Sequence, residues 1–447
     1  MTFYKDLAEP AMIALARAGN RGVRVDVALR NALVAQEKDR EVDLRKELSD
    51  FAGKAMNPNS PKQIAGLLYT DLKLPVQKKR PKNPGGIGAV TADNEAIKKL
   101  RRFRPEHQKL LTLILDARSV SKTISQLQTQ LETRADGESY FVTTYNATGT
   151  VTGRVSSSQP IHTDAGGNIQ QQKRGPTRRI FTARDGFVLI KCDGSQAEAR
   201  DVAALMRDED WLEKFRDPLY DAHTENAMLI YRGTQEQIVQ DRHDTPALRK
   251  AHRAEWGCAV PDTAGNLRDS LRQLSKPITH GAHYKAGPAA VSKIGDIPYA
   301  EAKHGLEVYV RSRGAPLRQW WARVEEMLQT TRCITTVWGR VRYFFGRYND
   351  ATIRDAVAHE PQSTVGDIIN NAMIHLDCEL RSMGGYPLIQ AHDEIVCEVP
   401  EAAVDDAVPI IRKWFEVPLA HPGISQPLVI PADVSVGLNW YDQKKVR

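Results

Sequence analysis

The sequence predicts an α+β fold in which sheet-forming segments bracket a long helical insertion. Apolar residues recur at three- and four-residue spacing from residue 8 to about residue 131 and again from residue 196 to about residue 341, which is the period of amphipathic helices. Short β-prone runs lie between and after these stretches, at residues 140–145, 187–192, 387–391, 395–399 and 428–440. The chain therefore predicts a helical N-terminal unit and a sheet that is split by an inserted helical region.

Cap and turn residues mark the borders of these predicted elements. The N-terminal helical stretch is interrupted at residues 57–62, where Ser60 offers an N-cap and Pro61 a first-turn proline. The Pro/Gly/Lys-rich residues 78–88 interrupt it again and are expected to form a mobile basic loop. Further along, His392-Asp393-Glu394 lies between two β runs, which predicts a tight hairpin.

Length and composition are those of a soluble, folded protein. At about 100–200 residues per domain, 447 residues predict two to four structural units. Hydrophobic residues make up 41% and charged residues 26%, which excludes a largely disordered, collagen-like or membrane-spanning chain. The N-terminus lacks the features of a signal peptide, so we expect a cytoplasmic protein. The five cysteines are far apart and form no CxxC pair, which predicts reduced thiols rather than disulfides or a zinc ribbon.

The net charge of +7 and a pI near 9.0 make a polyanionic partner plausible. The basic residues fall into three clusters, which are Lys78, Lys79, Arg80 and Lys82; Lys98, Lys99, Arg101, Arg102 and Arg104; and Lys173, Arg174, Arg178 and Arg179. Such clusters suit phosphate backbones, and the alternative for each of them is a solvated basic face.

Two carboxylates stand at the ends of predicted sheet segments. Asp193 follows a buried-type strand at the point where the chain turns into a helix, and Asp393 lies at the tip of the later hairpin. If the fold brings them together, two hard carboxylates at one sheet edge would bind Mg²⁺, as two-metal phosphoryl transfer requires. Either acid alone is more often a turn or cap residue.

A cationic and aromatic stripe lies between the two acids in the sequence. It consists of Arg272, Lys276, His280 and Tyr284, at steps of four residues. On a helix these residues share one face, with two cations for phosphate contacts at one end and flat rings for stacking at the other. The alternative is an ordinary amphipathic cationic face.

Six segments with fixed internal spacing occur in one order along the chain. They are Asn57 with Ser60-Pro-Lys-Gln63, Thr152-Gly-Arg154-Val-Ser-Ser157 with Asn168-Ile-Gln170, Asp193-Gly-Ser-Gln-Ala-Glu198-Ala-Arg200, Arg272 to Tyr284, Arg354 with Gln362, and His392-Asp393-Glu394. In this order they resemble motifs of family A DNA polymerases, the DNA polymerase I type, and the resemblance covers the polymerase region over essentially the whole chain. It implies a right-hand polymerase fold with a helical thumb (residues 1–136, with some N-terminal elements), an antiparallel-sheet palm (137–205 and 346–447) and helical fingers (206–345).

The resemblance also implies a template-directed DNA polymerase that adds deoxynucleotides to a primer 3′ end by two-metal phosphoryl transfer. Asp193 and Asp393 would hold two Mg²⁺ ions, with Glu394 in a supporting role. Arg272 and Lys276 would neutralise the triphosphate, and Lys276 is also a candidate proton donor to the pyrophosphate.

Further residues of the matched motifs receive nucleotide and DNA roles by the same resemblance. His280, Tyr284, Ser195 and Gln196 complete the nucleotide-binding set, with Tyr284 beside the templating base. Glu198 would exclude a ribose 2′-hydroxyl, so deoxynucleotides are the expected substrates. The residues that would contact primer–template DNA are Arg154, Asn168, Gln170, Arg354, Gln362 and His392.

Several positions depart from the family pattern. His280 replaces an aromatic Phe or Tyr, which changes how the sugar would stack. Pro277 follows the key lysine and is expected to start or kink the helix. In addition, Lys285 stands at a usual Gly, Gly194 at the motif's Tyr, and Ala358 at an expected Asn beside the primer.

The wider context is also predicted by the resemblance. Because the thumb-like segment begins almost at residue 1, we expect no intrinsic exonuclease, and proofreading would come from a separately encoded partner. A short, divergent polymerase core is typical of phage, plasmid or organellar replication or repair enzymes, here a monomer without membrane contact. Two alternatives remain: a metal-dependent nuclease or other nucleotidyltransferase, and a catalytically silent nucleic-acid-binding homologue.

Overall fold

A computed structural model of the chain describes residues 3–79, 81, 86–257, 267 and 269–446. Its helices are α1 (Glu9–Arg21), α2 (Val27–Ala52), α3 (Pro61–Ala65), α4 (Asn94–Phe103), α5 (Gln108–Leu127), α6 (Ala197–Met206), α7 (Glu209–Lys214), α8 (Ala222–Tyr231), α9 (Gln235–His243), α10 (Pro246–Glu255), α11 (Leu271–His283), α12 (Pro288–Gly295), α13 (Tyr299–Thr330), α14 (Asp350–Glu379) and α15 (Val404–Phe415). Its strands are β1 (Val23–Val25), β2 (Glu132–Thr133), β3 (Ser139–Phe141), β4 (Thr144–Asn146), β5 (Ser156–Ser158), β6 (Phe181–Thr182), β7 (Phe187–Gly194), β8 (Cys333–Thr335), β9 (Val341–Tyr343), β10 (Tyr386–Ala391), β11 (Glu394–Pro400), β12 (Ala432–Gly437) and β13 (Lys444–Lys445). The predicted α+β class is confirmed.

The chain divides into two compact units, and the first contains the main sheet. This unit comprises Met1–Leu33, Leu127–Tyr220 and Ala315–Arg447. Its five-stranded sheet has the order β10-β11-β7-β12-β13, and all of its pairings are antiparallel. The apolar face of this sheet packs with side chains of α1, α14 and α15 in one core.

The second unit is mainly helical and comprises Val34–Gln126 and Asp221–Gly314. Residues of α2 to α5 form an apolar core that includes Leu48, Ile64, Leu111 and Ile114. The second stretch contributes α8 to α12 and the start of α13, whose backbone breaks at Gly314 (φ 58°). No helix among the described residues is both long and apolar enough to span a membrane.

Most predicted elements have their structural counterparts. Ser60 caps α3 and Pro61 occupies its first turn. The predicted hairpin is β10 with β11, and β12 lies within the closing β run. Of the predicted basic loop at residues 78–88, residues 80 and 82–85 lie outside the described part of the chain, so its mobility stays a prediction.

Three local predictions were wrong. The stretch read as helical up to residue 131 contains β1, which pairs with β3 and β6. The β run at 140–145 divides into β3 and β4, because the Thr143 N–H bonds to the Gly19 carbonyl instead of a sheet partner. The second helical stretch ends earlier than residue 341, because β8 and β9 form a hairpin at residues 333–343.

Candidate active site

The main sheet brings the two predicted acidic residues to one place. Asp193 lies near the end of β7, and Glu394, the first residue of β11, is its partner in the antiparallel register. Asp393 precedes Glu394 in the hairpin turn, where His392 adopts a left-handed backbone (φ 63°). Burial, together with the negative charges of Asp393 and Glu394, raises the pKa of Asp193 to about 8. The structure therefore places Asp193 and Asp393 close enough to repel each other.

Asp193 has an unsatisfied acceptor that suits a cation. Its Oδ1 atom is buried and accepts no hydrogen bond within the described part of the protein. A buried carboxylate oxygen without a donor is costly, and a bound divalent cation would offset both this cost and the repulsion from Asp393. No group of three or more Asp, Glu, His or Cys side chains arranged to hold a metal occurs among the described residues. Two carboxylates fit Mg²⁺, which keeps waters and substrate phosphates in its other positions.

Glu394 is engaged by residues that sequence reasoning did not assign to the site. Its Oε1 accepts a hydrogen bond from the Trp440 indole N–H (2.6 Å) and another from Arg178 Nη1 (3.5 Å). The Arg178 guanidinium also lies over the Trp440 ring, 3.7 Å from its centroid. These contacts leave Glu394 beside the two aspartates with one oxygen already bound to protein donors, and its supporting role stays a prediction.

Arg154 and Glu198, which were predicted to contact DNA and sugar respectively, form an ion pair. Arg154 Nη2 lies 3.3 Å from Glu198 Oε2, and both side chains are partly exposed. Glu198 lies in the first turn of α6, which follows directly after Asp193, Ser195 and Gln196. The Gln196 side chain donates to the Tyr220 carbonyl at 2.9 Å. The strand-to-helix turn thus positions Glu198 one turn beyond the buried aspartate.

Gln170 supports the hairpin from inside the protein, and its contact with DNA stays a prediction. It is 9% exposed, and its amide nitrogen donates to the Val155 carbonyl (3.0 Å) and to Gln390 Oε1 (2.8 Å). Gln390 in turn donates to the His392 carbonyl at 2.8 Å. Since both Gln170 donor contacts are internal, its amide nitrogen helps to hold the hairpin in place.

The remaining predicted DNA-contacting residues are at least partly exposed. Asn168 caps a short 3₁₀ turn, and its Oδ1 accepts from the Ser157 hydroxyl at 2.8 Å. Arg354 and Gln362 lie on α14, eight residues and about 80° apart around the helix axis. The His392 side chain is exposed at the tip of the hairpin.

In the second unit, α11 carries the predicted cationic stripe. Arg272, Lys276 and His280 lie on the helix, and Tyr284 is its C-cap. The helix continues through Pro277, so a helix start at this position is excluded, whereas the kink stays a prediction. The Pro277 ring packs closely against Gly295, because a Cβ atom added at Gly295 would lie 2.8 Å from it. Lys285 has a left-handed backbone (φ 54°), which explains why a glycine suits this position.

Arg272 is held by an acid that the sequence did not mark. Its guanidinium forms a two-point ion pair with Asp221, including a 3.0 Å bond from Nη2. Burial would raise the pKa of Asp221, but hydrogen bonds from Arg272 and Thr224 lower it to about 2. The neighbouring His223 has its pKa lowered to about 3 by burial and by the charge of Lys276. The positive charges of Arg272 and Lys276 are therefore concentrated on α11, and Asp221 neutralises that of Arg272.

Two of the predicted phosphate-binding clusters are partly used within the protein. Arg178 binds Glu394, and Arg179 forms a two-point pair with Asp442. Arg101 and Arg102 both bind Asp296. These four arginines are internal ligands, and the basic clusters available to a polyanion are correspondingly smaller than predicted.

Comparison with known proteins gives one consistent family. The sequence model of DNA polymerase family A matches residues 29–247 and 254–442. The thermostable DNA polymerase I of Thermus aquaticus is 28% identical over 456 residues, which cover 99% of this chain and 48% of that protein. DNA polymerase I of Deinococcus radiodurans is 27% identical over 448 residues, 99% of this chain and 42% of that protein.

A solved structure agrees with these sequence relatives. The polymerase domain of Pol1 from M. smegmatis, in complex with primer–template DNA and dNTP, superposes with a TM-score of 0.75 at 25% identity. The match covers 97% of this chain and 70% of that one. The chain spans about half the length of the curated relatives it matches. It has the predicted right-hand polymerase fold and belongs to DNA polymerase family A.

Proposed function

We propose that this chain is a DNA-directed DNA polymerase that extends a primer 3′ end with deoxynucleotides. The observation that carries the proposal is the juxtaposition of Asp193 and Asp393 at one edge of the main sheet, with a buried Asp193 oxygen that has no donor among the described residues. The relative from M. smegmatis binds primer–template DNA and dNTP, and we extend those partners to this chain.

In the proposed mechanism the two aspartates hold Mg²⁺. When bound, Mg²⁺ lowers the pKa of the primer 3′-hydroxyl and neutralises the charge of the triphosphate and the leaving pyrophosphate. Glu394 fixes the hairpin side of the site, because Trp440 and Arg178 hold its carboxylate in place. Asp193 is held by the β7 ladder, so its position needs no rearrangement at the moment of reaction.

The α11 stripe supplies the proposed triphosphate contacts. Arg272 exchanges its bond to Asp221 for a phosphate, and Lys276 offers an ammonium that neutralises charge or donates a proton to pyrophosphate. His280 and Tyr284 provide the flat surfaces for the sugar and the templating base. Because imidazole is smaller than the Phe or Tyr of the family pattern, stacking at His280 covers less area.

Glu198 is the proposed gate against ribonucleotides. Arg154 restrains its carboxylate through the 3.3 Å ion pair, which limits the positions that the side chain can adopt. A carboxylate that is held in place excludes an additional hydroxyl by steric contact. We therefore propose that the Arg154–Glu198 pair, rather than Glu198 alone, sets sugar selectivity.

We also propose the division into thumb (1–136), palm (137–205 and 346–447) and fingers (206–345). The main sheet with both aspartates corresponds to the palm, and α11 corresponds to the fingers. The two compact units do not follow these borders, since 34–126 and 221–314 cluster together.

Primer extension tests the proposed function. Wild type and Asp393→Ala are compared on a primer–template with Mg²⁺ and each dNTP, with a parallel rNTP reaction. Template-directed growth that is lost in the variant and poor with rNTPs would support the proposal. Binding without extension by wild type would indicate a silent nucleic-acid-binding homologue, and shortening of the primer would indicate a nuclease.

A further inference from the structure

The β8–β9 hairpin and the turn after it, residues 332–348, expose an unusual set of aromatic side chains. We call this segment the aromatic hairpin. Tyr343 is 59% exposed, Phe345 90% and Tyr348 42%. The neighbouring Phe344 is 5% exposed and packs edge-on against the buried His359. One ring therefore anchors the segment, whereas the rings on either side of it face solvent.

Two of the exposed rings form a preassembled stacking surface. The ring centroids of Tyr343 and Phe345 are 5.8 Å apart and their planes differ by 15°. Exposing large aromatic faces to water is unfavourable, and clusters of them mark interaction sites more often than isolated apolar residues do. A nearly parallel exposed pair presents a flat π-face of the kind on which nucleobases stack.

The charges of the aromatic hairpin select an anionic ligand. It contains four arginines, Arg332, Arg340, Arg342 and Arg347, and no Asp or Glu. The Arg342 guanidinium lies 4.5 Å above the Phe344 ring, next to the exposed pair. Arg332 donates to the Gly346 carbonyl at 3.1 Å, which fixes the turn after β9. Aromatic faces interleaved with guanidinium groups complement the bases and phosphates of a single strand.

The base of the aromatic hairpin is rigid and lies beside a residue with a proposed DNA role. Arg340 forms a two-point ion pair with Asp367, whose side chain is fully buried, at 2.9 and 2.7 Å. A Cβ atom added at Gly153 would collide with the Arg340 guanidinium, so Arg340 lies directly against the residue that precedes Arg154. The exposed rings are thus held on a fixed base that is continuous with the proposed primer–template surface.

We propose that Tyr343 and Phe345 stack against bases of the unpaired, single-stranded DNA template, and that Arg332, Arg342 and Arg347 of the aromatic hairpin contact its phosphates. This inference rests on the proposed polymerase function, because it assigns the strand as template. Stacking is tolerant of sequence, since every base offers a π-face. The surface would therefore bind template ahead of synthesis without a preference for its sequence.

Fluorescence anisotropy with two primer–templates tests the inference. The two substrates share one duplex and differ only in the 5′ template overhang, of about 2 or about 12 nucleotides. Wild type is expected to bind the long overhang more tightly. Tyr343→Ala/Phe345→Ala should lose about tenfold or more of that gain, in line with the stacking contribution of each base, and should bind the short overhang as wild type does.

Two variants serve as controls. Phe345→Trp keeps an aromatic face and should retain the gain from the long overhang. Ile161→Ala removes an apolar side chain that is 99% exposed outside the aromatic hairpin, and should bind both substrates like wild type. Equal losses on both substrates would overturn the inference, as would an unchanged overhang gain in the double variant. Self-association of wild type that the double variant abolishes, without an overhang effect, would assign the rings to a second copy instead.

Primer extension on the short-overhang substrate separates this inference from the proposed function. If wild type extends the primer but the overhang gain does not depend on the two rings, only the stacking inference fails. If the gain depends on the rings but wild type extends no primer, the polymerase assignment fails and the single-strand site remains.

Discussion

Asp296 joins two distant segments of the second unit, and its removal should destabilise that unit strongly. It follows α12 with a left-handed backbone (φ 51°) and receives ion pairs from Arg101 and Arg102 of α4. We propose Asp296→Asn as the perturbation, because Asn tolerates the left-handed conformation and keeps the shape of the side chain while removing its charge.

The expected loss follows from burial. The side chains of Arg101 and Arg102 are each 9% exposed and that of Asp296 is 13% exposed, so the variant removes the acid with which both buried guanidinium groups pair among the described residues. Breaking a buried ion pair by removing one partner costs about 3–5 kcal/mol. Because the amide oxygen of Asn still accepts hydrogen bonds from the arginines, we expect a cost at the lower end of this range, about 3 kcal/mol. At about 2–4 °C per kcal/mol for a unit of 150–250 residues, the transition should fall by about 6–12 °C.

Thermal unfolding of wild type, Asp296→Asn and Glu95→Gln provides the assay. Glu95 pairs with Lys293 between the same two helices at 3.5 Å, but both side chains are more than half exposed, so its loss should cost less than about 1 kcal/mol. A shift of Asp296→Asn no larger than that of Glu95→Gln would refute the reasoning that burial gives the Asp296 pairs their weight.

Three further predictions concern Asp221, Glu301 and Gln170. Asp221→Asn keeps an equally good helix cap but removes the charge that binds Arg272. The dNTP affinity in single-turnover incorporation should therefore rise by about fivefold. An unchanged or weaker affinity would contradict the idea that Asp221 and the triphosphate compete for Arg272. Burial raises the pKa of Glu301 to about 7 although the Tyr231 hydroxyl bonds to it, so Glu301 stabilises the folded state at low pH and loses this contribution as the pH rises through 7. In urea unfolding, the free energy of unfolding of wild type should fall by about 2–3 kcal/mol between pH 5 and pH 8, and this loss should be absent in Glu301→Gln. An equal pH dependence of the two proteins would exclude this role of Glu301. Gln170→Ala should lower the rate of incorporation with little change in primer–template Kd, whereas a reduced affinity at an unchanged rate would favour the predicted DNA contact instead.

The order of the elements could be predicted from the sequence because apolar periodicity and turn residues are local signals. The hairpin around Asp393 and the strand that ends near Asp193 followed from such signals. The short strand β1 did not, because its three residues lie between two long helices and form a strand only through pairing with β3 and β6. Pro277 does not start a helix, because the packing of α11 in the second unit outweighs one lost backbone bond.

Site chemistry was predictable where a motif carries it and not where a distant partner decides it. Asp193 and Asp393 were recognised from their place at the ends of β segments. Arg178 looked like a phosphate ligand, because nothing in the sequence shows that Glu394, 216 residues away, binds it. Asp221 carried only the signal of a helix cap, although it is the ion-pair partner of Arg272.

Single-nucleotide incorporation under single-turnover conditions tests the central claim most directly, namely that Asp193 and Asp393 form the metal site of a DNA polymerase. Asp433→Asn is the matched control, because Asp433 is the register partner of Asp193 on β12 but binds Lys445 at 2.9 Å. Asp193→Asn and Asp393→Asn should each lower the rate by about a thousandfold or more with the primer–template Kd unchanged, while Asp433→Asn stays within about threefold of wild type. Retention of the wild-type rate within about tenfold in either site variant, or an equal loss in Asp433→Asn, would contradict the account.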